Sequence, residues 1–288
     1  MTQAIKSVDL SLNQPCKVLD LIADSDDFFA EPHRHNYWEL LWCLDDKGSQ
    51  GIDFVEYTNK LGRIFTISPG QVHNSSQMCD HVRLIVFSTD FLEDQYRNNL
   101  LMESLFGRYQ SVQPYIDLDP ASYAYLEPLF LLMEEECGRH EPDWDIVSSL
   151  LTSFLRYLLR FSVKERAPSL TGDRRIPRFV ELVDQYYRSE KICQFYADKL
   201  SLTGKRLNEL TRKYLGKTVT QYIHERIILE ANRELIFSDK TIKAIALELG
   251  FDDPSYFGRF YRKCSGESPA EFRIRCADST TKIVVLSL

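Results

Sequence analysis

No run of eighteen apolar residues occurs in this 288-residue chain, so no stretch reads as a membrane-spanning helix and no membrane partner is expected. There is no Cys-x-x-Cys pair. The seven cysteines, at 16, 43, 79, 137, 193, 264 and 276, are odd in number and scattered, and they read as reduced thiols. The opening MTQAIKSVDLSLNQPCKVLD lacks the basic-then-apolar pattern of a leader. Together these absences lead to the expectation of a cytoplasmic protein.

What is present is unevenly charged. The chain carries 35 Lys+Arg against 42 Asp+Glu, yet residues 174–275 hold 20 against 14, which leaves 15 against 28 elsewhere. A basic third sits on an acidic protein. Charge alone fits either a solvated surface or a nucleic-acid footprint.

Periodicity changes along the chain. Residues 28–90 contain YWELLWCL, GIDFVEYT, LGRIFTI and VRLIVFS, rich in aromatic and β-branched residues and separated by turn signals. They predict short strands of a barrel or sandwich. DPASYAYLEPLFLLMEEECG and EPDWDIVSSLLTSFLRYLLRF predict two helices within 119–163. In the second, Ile146, Val147, Leu150, Leu151, Phe154, Leu155 and Leu158 form an apolar stripe, suited to a core or to a partner. Leu150, Leu151, Phe154, Leu155 and Leu158 are the candidate dimer contacts. Residues 164–175, polar with Pro168 and Gly172, predict a flexible linker. Helices follow to about 275, and 276–288 end in an apolar TKIVVLSL of unassigned role.

The helical part repeats. YADKLSLTGKRLNELTRKYLG (196–216) aligns with IALELGFDDPSYFGRFYRKCSG (245–266), so that Ala197 matches Ala246, Leu200 Leu249, Leu207 Phe257, Arg212 Arg262, Lys213 Lys263 and Gly216 Gly266. Each copy reads as helix, turn, helix. Thr203 caps the second helix of the first copy; Asp253, followed by Pro254, caps that of the second. A glycine ends each. The segment 218–237 can form one helix of about 30 Å, close to the roughly 34 Å between successive major-groove faces of B-DNA.

KTIKAIALELGFDDPSYFGRFYRKCSGESPAEFR resembles the signature of AraC/XylS-family transcription regulators, and the resemblance covers 176–275. It implies double-stranded DNA as a partner. By position, Lys205, Asn208 and Glu209 in the first recognition helix and Pro254, Ser255, Gly258 and Arg259 in the second become candidate base readers. Arg259 would suit guanine and Asn208 adenine. Glu209 either accepts from a cytosine amine or points to solvent. Pro254 and Gly258 offer no hydrogen-bonding side chain, which favours shape readout. Arg212, Lys213, Arg262 and Lys263 are candidate phosphate contacts.

HRHNYWEL (33–40) and SPGQVHN (68–74) resemble the two motifs of the cupin barrel, the sensory domain of such regulators. Strand alternation is expected to put 33, 35 and 39 on one face. His33, Arg34, His35, Trp38, Glu39, Trp42 and His73 are the candidate effector pocket, with Tyr37, Phe54 and Phe65 as further apolar lining. His33, His35, Glu39 and His73 also have the donors of a divalent metal site, although the regulator branch implies a metal-free pocket and no cofactor.

The expected fold class is α+β and multidomain. A cupin-like barrel (1–118) leads through dimerisation helices (119–163) and a linker (164–175) to an all-α domain with two helix-turn-helix motifs joined by a long helix (176–275). The expected function is an effector-responsive transcription activator, not an enzyme. It would be a homodimer that contacts RNA polymerase and lies on the nucleoid when bound. The alternatives are a metal-dependent cupin enzyme and a regulator controlled by a protein partner.

Overall fold

The computed structural model describes residues 6–8, 14–22, 30–77, 79–88, 90–92, 101–102, 104–106, 113–162, 173 and 175–278. Most of the expected linker and the tail beyond 278 lie outside them. The chain divides into two compact units, drawn from 6–167 and from 168–288.

The first unit contains β1 (Lys6–Val8), β2 (Cys16–Ile22), β3 (His33–His35), β4 (Trp38–Cys43), β5 (Ser49–Ile52), β6 (Val55–Thr58), β7 (Arg63–Ile67), β8 (His73–Gln77), β9 (His81–Phe87) and β10 (Tyr115–Asp117), then helices α1 (Pro120–Cys137) and α2 (Trp144–Ser162). Among the described residues the strands form two separate five-stranded sheets, ordered β1-β3-β8-β5-β6 and β10-β7-β4-β9-β2, rather than one closed ring. GIDFVEYT, expected as one strand, is a hairpin. Asp53 takes the left-handed conformation (φ 51°) between β5 and β6, and its carboxylate accepts from Gln71 and from the Val72 N–H.

Alternation on the second sheet divides the apolar residues cleanly. Leu41, Cys43, Phe65, Ile67, Val82, Leu84 and Val86 join Ile52 of the first sheet in one core. Leu40, Trp42, Ile64, Ile85 and Phe87 face the other way, where Leu126, Phe130 and Met133 of α1 and Leu151, Phe154, Leu155 and Leu158 of α2 cover them. This corrects the dimer assignment. Leu151, Phe154, Leu155 and Leu158 are each 0% exposed inside their own chain, because the sheet's second apolar face needs a cover. Leu150 is half-buried at the edge.

The second unit is helical: α3 (Arg175–Tyr186), α4 (Cys193–Lys199), α5 (Gly204–Leu215), α6 (Val219–Phe237), α7 (Ile242–Glu248), α8 (Pro254–Ser265) and α9 (Pro269–Asp278). Thr203, Thr218, Thr241 and Asp253 each cap the following helix with a side-chain oxygen. Thr218 and Gln221 form a capping box, as do Ser268 and Glu271.

Candidate nucleic-acid interface and inter-sheet site

The two helical motifs are superimposable in their local physics. α4 and α7 have seven residues each, and α5 and α8 twelve. The turn entering each second helix holds one left-handed residue, Ser201 (φ 53°) in the first copy and Gly250 (φ 72°) in the second. Leu202 or Phe251 then donates its backbone N–H to the carbonyl of Ala197 or Ala246. Gly216 and Gly266, both at positive φ, end the recognition helices. From 204–220 and from 254–270 the copies bury, half-bury and expose the same places in the same order.

α6 joins them as a strut of 19 residues, about 28 Å long. Four of its five charged residues, Arg226, Glu230, Arg233 and Glu234, are buried, and Glu225 is exposed. Arg226 donates to Asp184 and Glu230 at 3.0 Å each, and its guanidinium lies 4.1 Å from the Tyr187 ring. Arg188 and Arg233 also approach Glu230. Asn232 accepts from the Tyr261 hydroxyl at 2.6 Å, pinning α8 to the strut.

Equal burial sorts the candidate base readers. Lys205, Glu209, Ser255 and Arg259 are exposed. Asn208 is not available: its amide donates to the Gly204 carbonyl at 2.9 Å and accepts from the Val219 N–H at 3.1 Å, which ties α5 to the start of α6. Pro254 and Gly258 are half-buried, and open space adjoins the Gly258 Cα. Arg212, Lys213, Arg262 and Lys263 are all exposed; the Arg262 guanidinium reaches both Glu271 oxygens at 3.2 Å. Two exposed residues escaped the sequence reading, Arg206 and Tyr256. Each stands three residues past its cap and one turn before Glu209 or Arg259, a spacing that could have identified them.

The histidine motif converges by a different route from the one expected. The chain passes from the first sheet to the second between β3 and β4, so His33 and His35 stand on the first and Glu39 on the second. His73 comes from β8, paired with His33 across the sheet. All four are buried. Possible ligand atoms of His35, Glu39 and His73 lie within 4.8 Å of one another; among the described residues His33 does not join that set, although its ring centroid is 4.2 Å from that of His73. The Nδ1 atoms of His33 and His35 face the Glu31 and Tyr37 carbonyls at 3.0 and 2.8 Å. His35 Nε2 lies 3.2 Å from the Glu39 carboxylate. Burial drives the His73 imidazolium down to about 3, against the pull of Glu39. Burial would raise the Glu39 carboxyl, but the surrounding His73, His35 and His33 rings outweigh it and hold it below its ordinary range. Both shifts express one demand: the carboxylate wants a positive charge beside it, and burial resists placing that charge on His73.

Alternation removes three expected pocket members. Trp38 and Trp42 lie on the face of β4 opposite Glu39, packed on the helix-covered core; Trp42 meets Tyr123, Phe130 and Phe154. Arg34 lies on the face of β3 opposite His33 and His35. Tyr37, stacked on His35 at 3.8 Å, and Phe65 line the inter-sheet side.

Residues 196–275 match a family model described as a helix-turn-helix domain. The HTH-type transcriptional activator RhaR of Escherichia coli (strain K12) is 24% identical over 255 residues, spanning 86% of this chain and 88% of the relative. Among solved structures, ToxT from Vibrio cholerae aligns over 91% of this chain and 98% of its own, with 14% identity and a TM-score of 0.40. The DNA-binding domain of AdpA, solved with a target DNA, aligns over 34% of this chain and 89% of its own, with 21% identity and a TM-score of 0.32. No helix among the described residues is long and apolar enough to cross a membrane.

Proposed function

We infer that this chain, a DNA-binding transcription regulator of the AraC/XylS type, is an effector-responsive activator whose sheet-rich unit controls what its helical unit does on DNA. The observation that carries the DNA half is the doubled motif, with equal burial in both copies and exposed residues on both recognition helices. Activation follows the printed function of the relative that spans most of the chain. A regulator of this kind contacts RNA polymerase. The test is selection of a binding sequence by the full-length protein, then footprinting at two salt concentrations. Two protected major-groove patches about one helical turn apart are expected. Weak binding set by salt alone, with no selected sequence, would reject the reading.

In the sensor, residues 1–118 by our division, His35, Glu39 and His73 serve as polar anchors for a small molecule, with Tyr37 and Phe65 as apolar wall. Buried polar groups among aromatic side chains are what ligand sites use. Binding biases pre-existing arrangements of the chain rather than creating one. The protein works as a homodimer. Because the core has taken Leu151, Phe154, Leu155 and Leu158, the partner-facing stripe is Ile146, Leu150, Tyr157 and Phe161 of α2. Tyr125 of α1 extends it, its ring centroid 5.2 Å from that of Tyr157.

A second reading rests on the clustering of possible ligand atoms. His35, Glu39 and His73 fit three protein ligands of a divalent ion, which would supply a Lewis acid for an oxygen-bearing effector. Metal analysis and Zn²⁺ titration of the purified full-length protein test it. Stoichiometric binding lost in Glu39→Gln supports the ion, and no binding at micromolar metal rejects it.

A further inference from the structure

The two recognition helices share length, cap position, stop and burial, so both present the same positions to whatever they dock on. The chemistry differs at three exposed positions, Lys205 against Ser255, Arg206 against Tyr256 and Glu209 against Arg259, and the last two lie one turn apart. Helix α5 offers Arg206 and Glu209, and helix α8 offers Tyr256 and Arg259. All four are exposed, Tyr256 to 55%. Arg206 Nη1 donates to Glu209 Oε2 at 2.9 Å. The Arg259 guanidinium lies 5.9 Å from the Tyr256 ring and 3.8 Å from the cap residue Asp253.

We propose that Arg206, oriented by Glu209, is the specificity-determining residue of the first motif. It takes a guanine through O6 and N7, while the second motif reads an unlike sequence with Tyr256 and Arg259. The proposal rests on the DNA-binding reading above. A carboxylate in a recognition helix is repelled by phosphates unless a cation accompanies it. Glu209 has that cation one turn away, and the single Nη1 contact biases the guanidinium while leaving the rest of its fork for another acceptor. A bidentate arginine fits guanine and no other base edge so well. At the matching site of α8, the face of Tyr256 suits a thymine methyl or a sugar, and Arg259 is only loosely held. The site bound by one subunit is therefore two different boxes with a direction, although the protein that reads it is an internal repeat.

The experiment uses a duplex selected from a random library by the full-length protein, with every base pair then varied singly. Arg206→Ala is expected to erase discrimination at one G·C pair in one box, worth about 5- to 150-fold in affinity, while the other box stays selective. Arg206→Lys should restore affinity but not discrimination. Glu209→Ala should bind random DNA more tightly and discriminate less at the same pair. An Arg206→Ala protein that weakens equally on all sequences, with discrimination intact, would make Arg206 a phosphate contact and overturn the proposal. So would a selected site made of two identical boxes. If the wild-type protein selects no sequence at all, the failure lies in the DNA-binding reading instead.

Discussion

At the scale of single residues, Asn208 and Asp117 show how a polar side chain can be structural. Asn208 bridges α5 and α6 through two backbone groups. Asn208→Ala leaves a part-buried carbonyl and N–H without it and should cost about 1 kcal/mol of stability. The selected base preference should not change; a preference lost at one A·T pair would restore Asn208 as a reader. Asp117 accepts from Arg63 Nε and Nη2 at 2.7 and 2.9 Å. Arg63 holds its carboxyl below the ordinary range, against partial burial that would raise it. The folded pKa thus lies under the unfolded value of about 3.9. The stabilisation is complete above that value and fades as pH falls through the lower one. Thermal melts from pH 6 down to pH 2 should show a smaller acid loss in Asp117→Asn than in the wild type; equal slopes would contradict this.

Among elements, the turn of the second motif is the most constrained. A Cβ on Gly250 would lie 1.8 Å from the Arg188 carbonyl oxygen, and its φ of +72° already disfavours other residues. Lys191 seals the same place by donating to the Arg188 and Gly250 carbonyls at 2.7 and 2.9 Å, over the Phe251 ring. Gly250→Ala should therefore lower the melting temperature far more than Ser201→Ala in the equivalent turn, and calorimetry of both variants decides. The helical elements were legible in the sequence because their signals are local: Thr203, Asp253, Gly216 and Gly266 sit where they act. The inter-sheet site was only half legible. Its donor residues could be named, but whether 33, 35 and 39 share a strand depends on the passage from one sheet to the other after His35. Asn36 is the one turn-favouring side chain at that point, a weak signal by itself. Trp38 and Trp42 could have been separated from Glu39 in the sequence, because period-2 alternation sets 38 and 42 against 39; only which of those faces the helices cover was not legible. The hairpin at Asp53 was missed because Ile52, Phe54 and Val55 look like an uninterrupted strand.

For the whole molecule, the assignment of α2 leads to paired expectations. Leu155→Asp puts a charge into a fully buried site and should unfold the sheet-rich unit. Leu150→Glu with Tyr157→Glu should leave the fold intact and give monomers in light scattering. A folded dimer from the double variant would place the interface elsewhere. The matched cross-sections of the two motifs have another result, for how such a regulator acquires new targets. The side chains that pack each motif, Leu207 and Leu210 or Phe257 and Phe260, are buried, whereas the candidate base readers Arg206, Glu209, Tyr256 and Arg259 are exposed. On the two-box reading proposed above, one recognition helix can change its spelling while the other keeps its grip, so a promoter can drift under this protein one box at a time without ever being released.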